Sequence, residues 1–389
     1  MYSTRFVATF RPVEAMAPSS KNQSSRSIPS EQPSRRRTGR GATIAPTNRF
    51  ESTALVDDFS ELPEEDLLEV IPRKVPTSFL ADESRSVLTT NNSPDIPFRY
   101  SINPYRGCEH GCAYCYARPG HEYLGMNAGL DFETKVMVKH DAARLLRDEL
   151  CKPSWQCERI AISGVTDCYQ PAEREFRVTR GLLEVLLEAR QPCGIVTKNA
   201  LVLRDLDLLV PMAKQRLVHV FVSVTTLDAK LARTLEPRTS TPAARLDAIR
   251  QLAGAGVPVG AMVAPIIPGL NDEEIPAILT AVRDAGAMTA SYVLLRLPLA
   301  VEPIFQAWLE ENLPLKRERI EGLIRSTREG ELNEDQFGKR MRGTGEYAEQ
   351  IATTFKIFKK KLGLDTTMPP QDTSRFRPPK ASSGQMSLF

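Results

Sequence analysis

Between about residues 100 and 325, short apolar runs of strand length alternate with longer runs whose apolar positions recur every three to four residues. That alternation predicts an α/β fold in which helices connect the strands of a parallel sheet. Six strands are predicted, near Phe98 to Asn103, Arg159 to Gly164, Gly194 to Thr197, His219 to Thr225, Val257 to Ala264 and Ala290 to Leu295. Helix starts are legible between them. Thr241 followed by Pro242 reads as a cap and first helical residue, with Leu246, Ile249, Leu252 and Ala253 on one face and Gly254 and Gly256 ending the run. Asn271 with Glu274 reads as a cap and its partner, ahead of Ile275, Ile278, Leu279 and Val282.

Outside this region the periodicity fades. Residues 1–75 are rich in Ser, Pro and Arg and read as a disordered basic arm with short docked segments. Residues 76–363 form the core with its C-terminal helices. Residues 364–389, with Pro369, Pro370, Pro378 and Pro379, read as a second disordered tail. No apolar run reaches the roughly 20 residues that span a bilayer, so no membrane association is expected. There is no repeat of fixed period and no phosphate-binding G-x-x-x-x-G-K-S/T run.

Charge sharpens the division. Residues 1–50 carry nine Lys and Arg against Glu14 and Glu31, whereas the whole chain of 389 residues is only +3. Such an arm could neutralise nucleic-acid phosphates, and it could equally be a solvated tail. Seven cysteines in a chain with no secretory signal point to a reducing compartment and to the cytoplasm.

Three of those cysteines change the picture. Cys108, Cys112 and Cys115 give C-x3-C-x2-C within Asn103-Pro104-Tyr105-Arg106-Gly107-Cys108-Glu109-His110-Gly111-Cys112-Ala113-Tyr114-Cys115-Tyr116. Soft thiolates at this density select an iron-sulfur cluster or zinc over hard cations. Three ligands leave one iron of a [4Fe-4S] cluster open to a small molecule. The alternative, a zinc site completed by His110, lacks the second ligand pair that structural zinc normally draws from a separate segment.

This motif resembles that of the radical S-adenosylmethionine (SAM) enzymes. The resemblance implies a partial (β/α)6 barrel, a [4Fe-4S] cluster on the three cysteines, and SAM chelating the fourth iron, with an external electron donor that triggers cleavage to a 5'-deoxyadenosyl radical. It places Tyr114 against the adenine. In such barrels the C-terminal strand ends carry the chemistry. There the resemblance nominates Thr166 and Asp167 for the SAM ammonium, Lys198 for its carboxylate and Ser223 as a further contact. The residue-level alternatives are a capping aspartate, a snorkelled surface lysine and an ordinary buried serine.

Glu236-Pro237-Arg238-Thr239, Pro265 to Asp272 and Leu294 to Pro298 together resemble the subgroup related to spore photoproduct lyase. That enzyme returns a hydrogen atom from a cysteine at the second strand end. The matching place here holds Gly164, and the nearest thiol is Cys168, which is either a displaced hydrogen donor or an inert buried thiol.

The chain ends in Gln385-Met386-Ser387-Leu388-Phe389, which resembles the pentapeptide by which bacterial DNA polymerases and repair proteins bind the sliding clamp. Gln385 suits a polar pocket, and Leu388 and Phe389 suit an apolar groove. The combined expectation is a radical SAM enzyme acting on DNA, as lesion repair or base modification, with recruitment by the clamp. Its alternatives are a protein or metabolite substrate, or a non-catalytic iron-sulfur subunit.

Overall fold

A computed structural model describes residues 39–51 and 75–380. The strands are β1 Ser78–Ala81, β2 Leu88–Thr90, β3 Tyr100–Ile102, β4 Tyr105–Arg106, β5 Lys135–Val138, β6 Ile160–Ile162, β7 Cys193–Thr197, β8 Val218–Ser223, β9 Val259–Ile266 and β10 Thr289–Leu294. The main sheet has the order β10-β9-β8-β7-β6-β3-β2. Its neighbours from β3 to β10 are all parallel, and β2 pairs antiparallel with β3. All six predicted strands are therefore present in one open sheet, the partial (β/α)6 arrangement.

Register explains why this order is stable. Ile102, Ile162, Ile195, Val220 and Val259 are partners across five successive strands, and each is fully buried. Burying a side chain of this size contributes about 1.5–3 kcal/mol. β-branched residues suit the pleat, and parallel strands require crossover helices on their outer faces. The helix Pro242–Gly254 starts as expected, with the Thr241 hydroxyl accepting from the Ala244 amide at 3.3 Å. The cap expected at Asn271 is corrected. Its side chain bonds to the Ile267 amide and to the carbonyls of Thr225 and Pro265, stapling a loop, while Glu274 accepts from Thr226 and Leu227. The four apolar residues behind it, Ile275, Ile278, Leu279 and Val282, are buried as expected.

A second small sheet, β1-β5-β4, was not legible in the sequence. Its strands β4 and β5 flank the segment that carries the three cysteines, so the loop is gripped at both ends.

The disordered reading of the C-terminal tail is corrected for residues 364–380, and part of the N-terminal arm is also described. Residues 39–51 are packed, with Ala42 and Asn48 buried. Residues 364–380 are also ordered, lying across the N-terminal ends of the strands. Leu364 is buried, Gln371 donates to the carbonyls of Cys193 and Leu217, and the Arg377 amide donates to Ala189. These segments lack periodicity because they are fastened by individual polar bonds rather than by an apolar face. The rest of the basic arm and the pentapeptide with Gln385, Leu388 and Phe389 lie outside the described residues. Among the described residues no helix is long and apolar enough to cross a membrane.

Candidate active site

The cysteine loop sits at the C-terminal end of β3 and is held from every side. The Cys108 amide donates to Phe132, the Ala113 amide to Leu235, and the Arg238 amide to His110. Fully buried Gln170 accepts from the Glu109 amide at 2.8 Å and donates to the Gly107 carbonyl at 3.2 Å. Gly111 has φ +65°, and a Cβ there would stand 2.7 Å from a Glu133 carboxylate oxygen. The segment at Gly41 lies on the same loop, so closely that a Cβ on Gly41 would fall 1.6 Å from the Gly111 carbonyl oxygen. Only glycine fits either position.

Two buried ion pairs frame the loop. Arg118 donates to the Cys112 carbonyl through Nε and Nη2 and to Glu133 at 2.5 Å, while Glu133 also accepts from the amides of Gly41 and Ala42. On the opposite side, Glu236 pairs with Arg245 and accepts from the hydroxyls of Tyr114 and Thr225. Burial alone would raise the Glu236 carboxyl, but Arg245 and Lys198, with those hydroxyls, hold it down at about 2. Arg245 further donates to the carbonyls of Ser240 and Ser223. Sequence reasoning missed this frame. The available signal was an arginine at position 245 in register with Ile249 and Leu252 on the core face of its helix, since an arginine there must be paired.

Cys108 and Cys112 are buried and Cys115 is half-buried, packing against both of the others' surroundings. Burial pushes all three thiols up in the metal-free chain, and Lys198 acts in the opposite sense on Cys112 and Cys115. Among the described residues no three His, Cys, Asp or Glu side chains are placed to hold a single metal ion. An iron-sulfur cube takes one thiolate on each of three separate irons, so its donors stand apart, and the soft three-thiol set fits it. His110 is committed elsewhere: its Nδ1 faces Asp167 at 3.4 Å and its Nε2 accepts from Asn199 at 3.2 Å. Burial drives its pKa down to about 4, so the ring is neutral, with the proton on Nδ1.

The other sequence-nominated residues separate into three groups. Lys198 stays at the mouth of the barrel, its ammonium 5.9 Å from the Tyr114 ring centre and without an ion pair among the described residues. Tyr114 is buried beside it, and Ser223 is buried at the end of β8. Thr166 and Asp167 are engaged by bonds within the chain. Asp167 accepts from the Tyr169 and Lys198 amides, the Thr197 hydroxyl and His110, which saturates its carboxylate. It fastens the ends of β6 and β7 to the cysteine loop. Thr166 donates to the Tyr105 carbonyl. Cys168 is fully buried in the main core, grouped apart from Cys108, Cys112 and Cys115.

Tyr116 was not nominated. It is half exposed at the mouth, its hydroxyl donating to the Gly164 carbonyl and its ring 5.6 Å from the Arg296 guanidinium. An aromatic directly after the third cysteine was the available signal.

Residues 102–282 match the Radical SAM superfamily. The chain is 41% identical over 236 residues to an uncharacterized protein of Mycobacterium tuberculosis, covering 60% of this chain and 69% of that one. It is 31% identical over 230 residues to an uncharacterized protein of Methanocaldococcus jannaschii, covering 59% and 82%. Among solved structures it is similar in fold to spore photoproduct lyase complexed with a dinucleoside spore photoproduct, with a TM-score of 0.52 and 18% identity over 73% of this chain and 79% of that one.

Proposed function

This chain belongs to the radical SAM superfamily, and on that footing we propose that it binds one [4Fe-4S] cluster through Cys108, Cys112 and Cys115, with SAM on the open iron, and begins radical chemistry on DNA. When bound, the cluster and SAM would supply one-electron cleavage and a reactive carbon radical, with the electron coming from an external reductant. The observation that carries this reading is the gripped three-thiol loop beside Lys198 at the C-terminal ends of an open parallel sheet.

The chain's own residues would bind and orient. Lys198 pairs with the SAM carboxylate. Tyr114, its hydroxyl pinned by Glu236, offers a fixed ring for the adenine, and Ser223 lines the same side. Asp167 and Thr166 act by position, holding the strand ends and the Lys198 backbone in place. Lys198→Met is expected to weaken SAM binding about 10- to 100-fold, the worth of one hydrogen-bonded charge, while leaving iron content unchanged. Calorimetry on the loaded protein checks this; unchanged affinity would remove Lys198 from the site.

The DNA assignment draws support from the fold shared with a lyase solved with a dinucleoside lesion. It also draws on Tyr116 and Arg296, which form an aromatic and cationic platform at the mouth on which a base could stack. A base must leave the duplex to reach the mouth, which costs least where it is damaged. The hydrogen-donating thiol of that lyase has no counterpart at Gly164, so the reaction proposed is radical modification or repair without Cys168 as donor.

Recruitment is proposed to run through Gln385, Leu388 and Phe389. Phe389→Ala is expected to weaken binding to a bacterial sliding clamp at least about thirtyfold, the loss of one anchor residue, with SAM cleavage intact. Clamp binding that survives this change contradicts the assignment.

A further inference from the structure

The long helix Gly345–Lys361 meets the edge strand β10 through Phe355 on Tyr292, and the two line an open pocket of about 310 Å³ on the flank of the sheet. Lys356, Lys359 and Lys360 line it from one helix face, at the i, i+3 and i+4 positions that make neighbours. Arg342 lines the facing wall, its guanidinium 4.1 Å from the centre of the Tyr292 ring. A ring face holds the guanidinium in place without neutralising it. Asp365 is the one acidic side chain among the lining residues. None of the four cations forms an ion pair with a described residue. Lys359 is half-buried, and burial pushes its ammonium down despite Asp365.

Four cations around one carboxylate repel one another, and among the lining residues Asp365 alone offsets them. The flank therefore suits an external polyanion with closely spaced charges. Its distance from the proposed chemistry is informative. Tyr292 lies four residues before Arg296 along β10 and its exit, about 13 Å at strand rise, which a nucleic-acid strand crosses in a few nucleotides.

We propose that this cavity is a second, sequence-independent contact for the phosphate backbone of nucleic acid, placed to hold the strand whose base enters the mouth. The inference rests on the nucleic-acid reading above and adds where the backbone is gripped. Such a contact gives affinity by releasing counterions, so its signature is in the salt dependence.

The test uses the full chain loaded with its cluster, and a variant carrying Lys356→Gln, Lys359→Gln and Lys360→Gln. Lys356 and Lys360 are exposed, so the variant is expected to melt with the wild type. Binding to a fluorescent 20-nucleotide duplex is titrated at several salt concentrations. The variant is expected to bind at least about tenfold more weakly at low salt, with the log-log salt slope reduced by about 2 to 3, as for three lost phosphate contacts. SAM cleavage without DNA should be unchanged. Arg342→Gln should give a smaller change of the same sign. If the wild type binds DNA and both variants match it in affinity and slope, the flank assignment is overturned while the nucleic-acid reading stands. If the wild type binds no DNA, both fall together. Competition by polyglutamate that exceeds competition by unlabelled duplex would assign the flank to an acidic protein and overturn the proposal.

Discussion

Cys112→Ala is expected to abolish cluster assembly, taking iron from roughly four per chain to background and eliminating the visible iron-sulfur absorbance. Its main-chain carbonyl, which accepts twice from Arg118, is untouched by the change, and the loop's other bonds run through Gly107, Cys108, Glu109, His110 and Ala113. The loop should therefore keep its shape and lose only a ligand. The metal-free variant should melt within a degree or two of metal-free wild type, because alanine replaces a small buried side chain. A full complement of iron in the variant would mean that Cys112 is not a ligand, while a large drop in melting temperature would mean that the thiol is structural.

The largest stability effect is expected at the Glu236–Arg245 pair. Both side chains are almost completely buried, and Arg245→Met would leave a carboxylate in the interior with two hydroxyl donors and no paired cation. Breaking one side of such a pair costs about 3–5 kcal/mol. The pH dependence follows from the direction of the shift. In the wild type Glu236 is held at about 2, below its unfolded value, so it contributes stability above the ordinary carboxylate range and loses it as pH falls toward 2. In the variant, burial raises the same group, so the cost should be greatest at neutral pH and shrink as Glu236 takes a proton on acidification. Urea denaturation of both proteins at pH 7 and pH 5 checks this. A destabilisation that does not change with pH would point to lost packing by the arginine stem instead. Glu236→Gln combined with Arg245→Met should recover much of the loss.

How far the sequence reaches is clearest at these residues. The six strands were legible because each is an apolar run bounded by a turn, and the cysteine loop because its ligands lie within eight residues. The polar frame was not legible, since its members are far apart: Tyr114 meets Glu236 across 122 positions, and Glu109 meets Gln170 across 61. Local capping logic succeeded at Thr241, where the partner is three residues on, and failed at Asn271, where long-range carbonyls compete for the side chain. Asp167 stands at the expected strand end, and its bonds to Thr197, Lys198 and His110 were not legible for the same reason. Residues 364–380 were misread because single hydrogen bonds to strand ends leave no periodic trace in a proline-rich segment.

If Cys108, Cys112 and Cys115 carry a cluster that cleaves SAM, the reduced protein must release 5'-deoxyadenosine. The most direct measurement is the yield of 5'-deoxyadenosine from SAM by anaerobically reconstituted, reduced protein supplied with lesion-bearing DNA, beside Cys112→Ala. Product from the wild type and none above background from the variant is the expected result. Iron-loaded, reduced wild type that yields no 5'-deoxyadenosine, or a variant that yields as much, would contradict it.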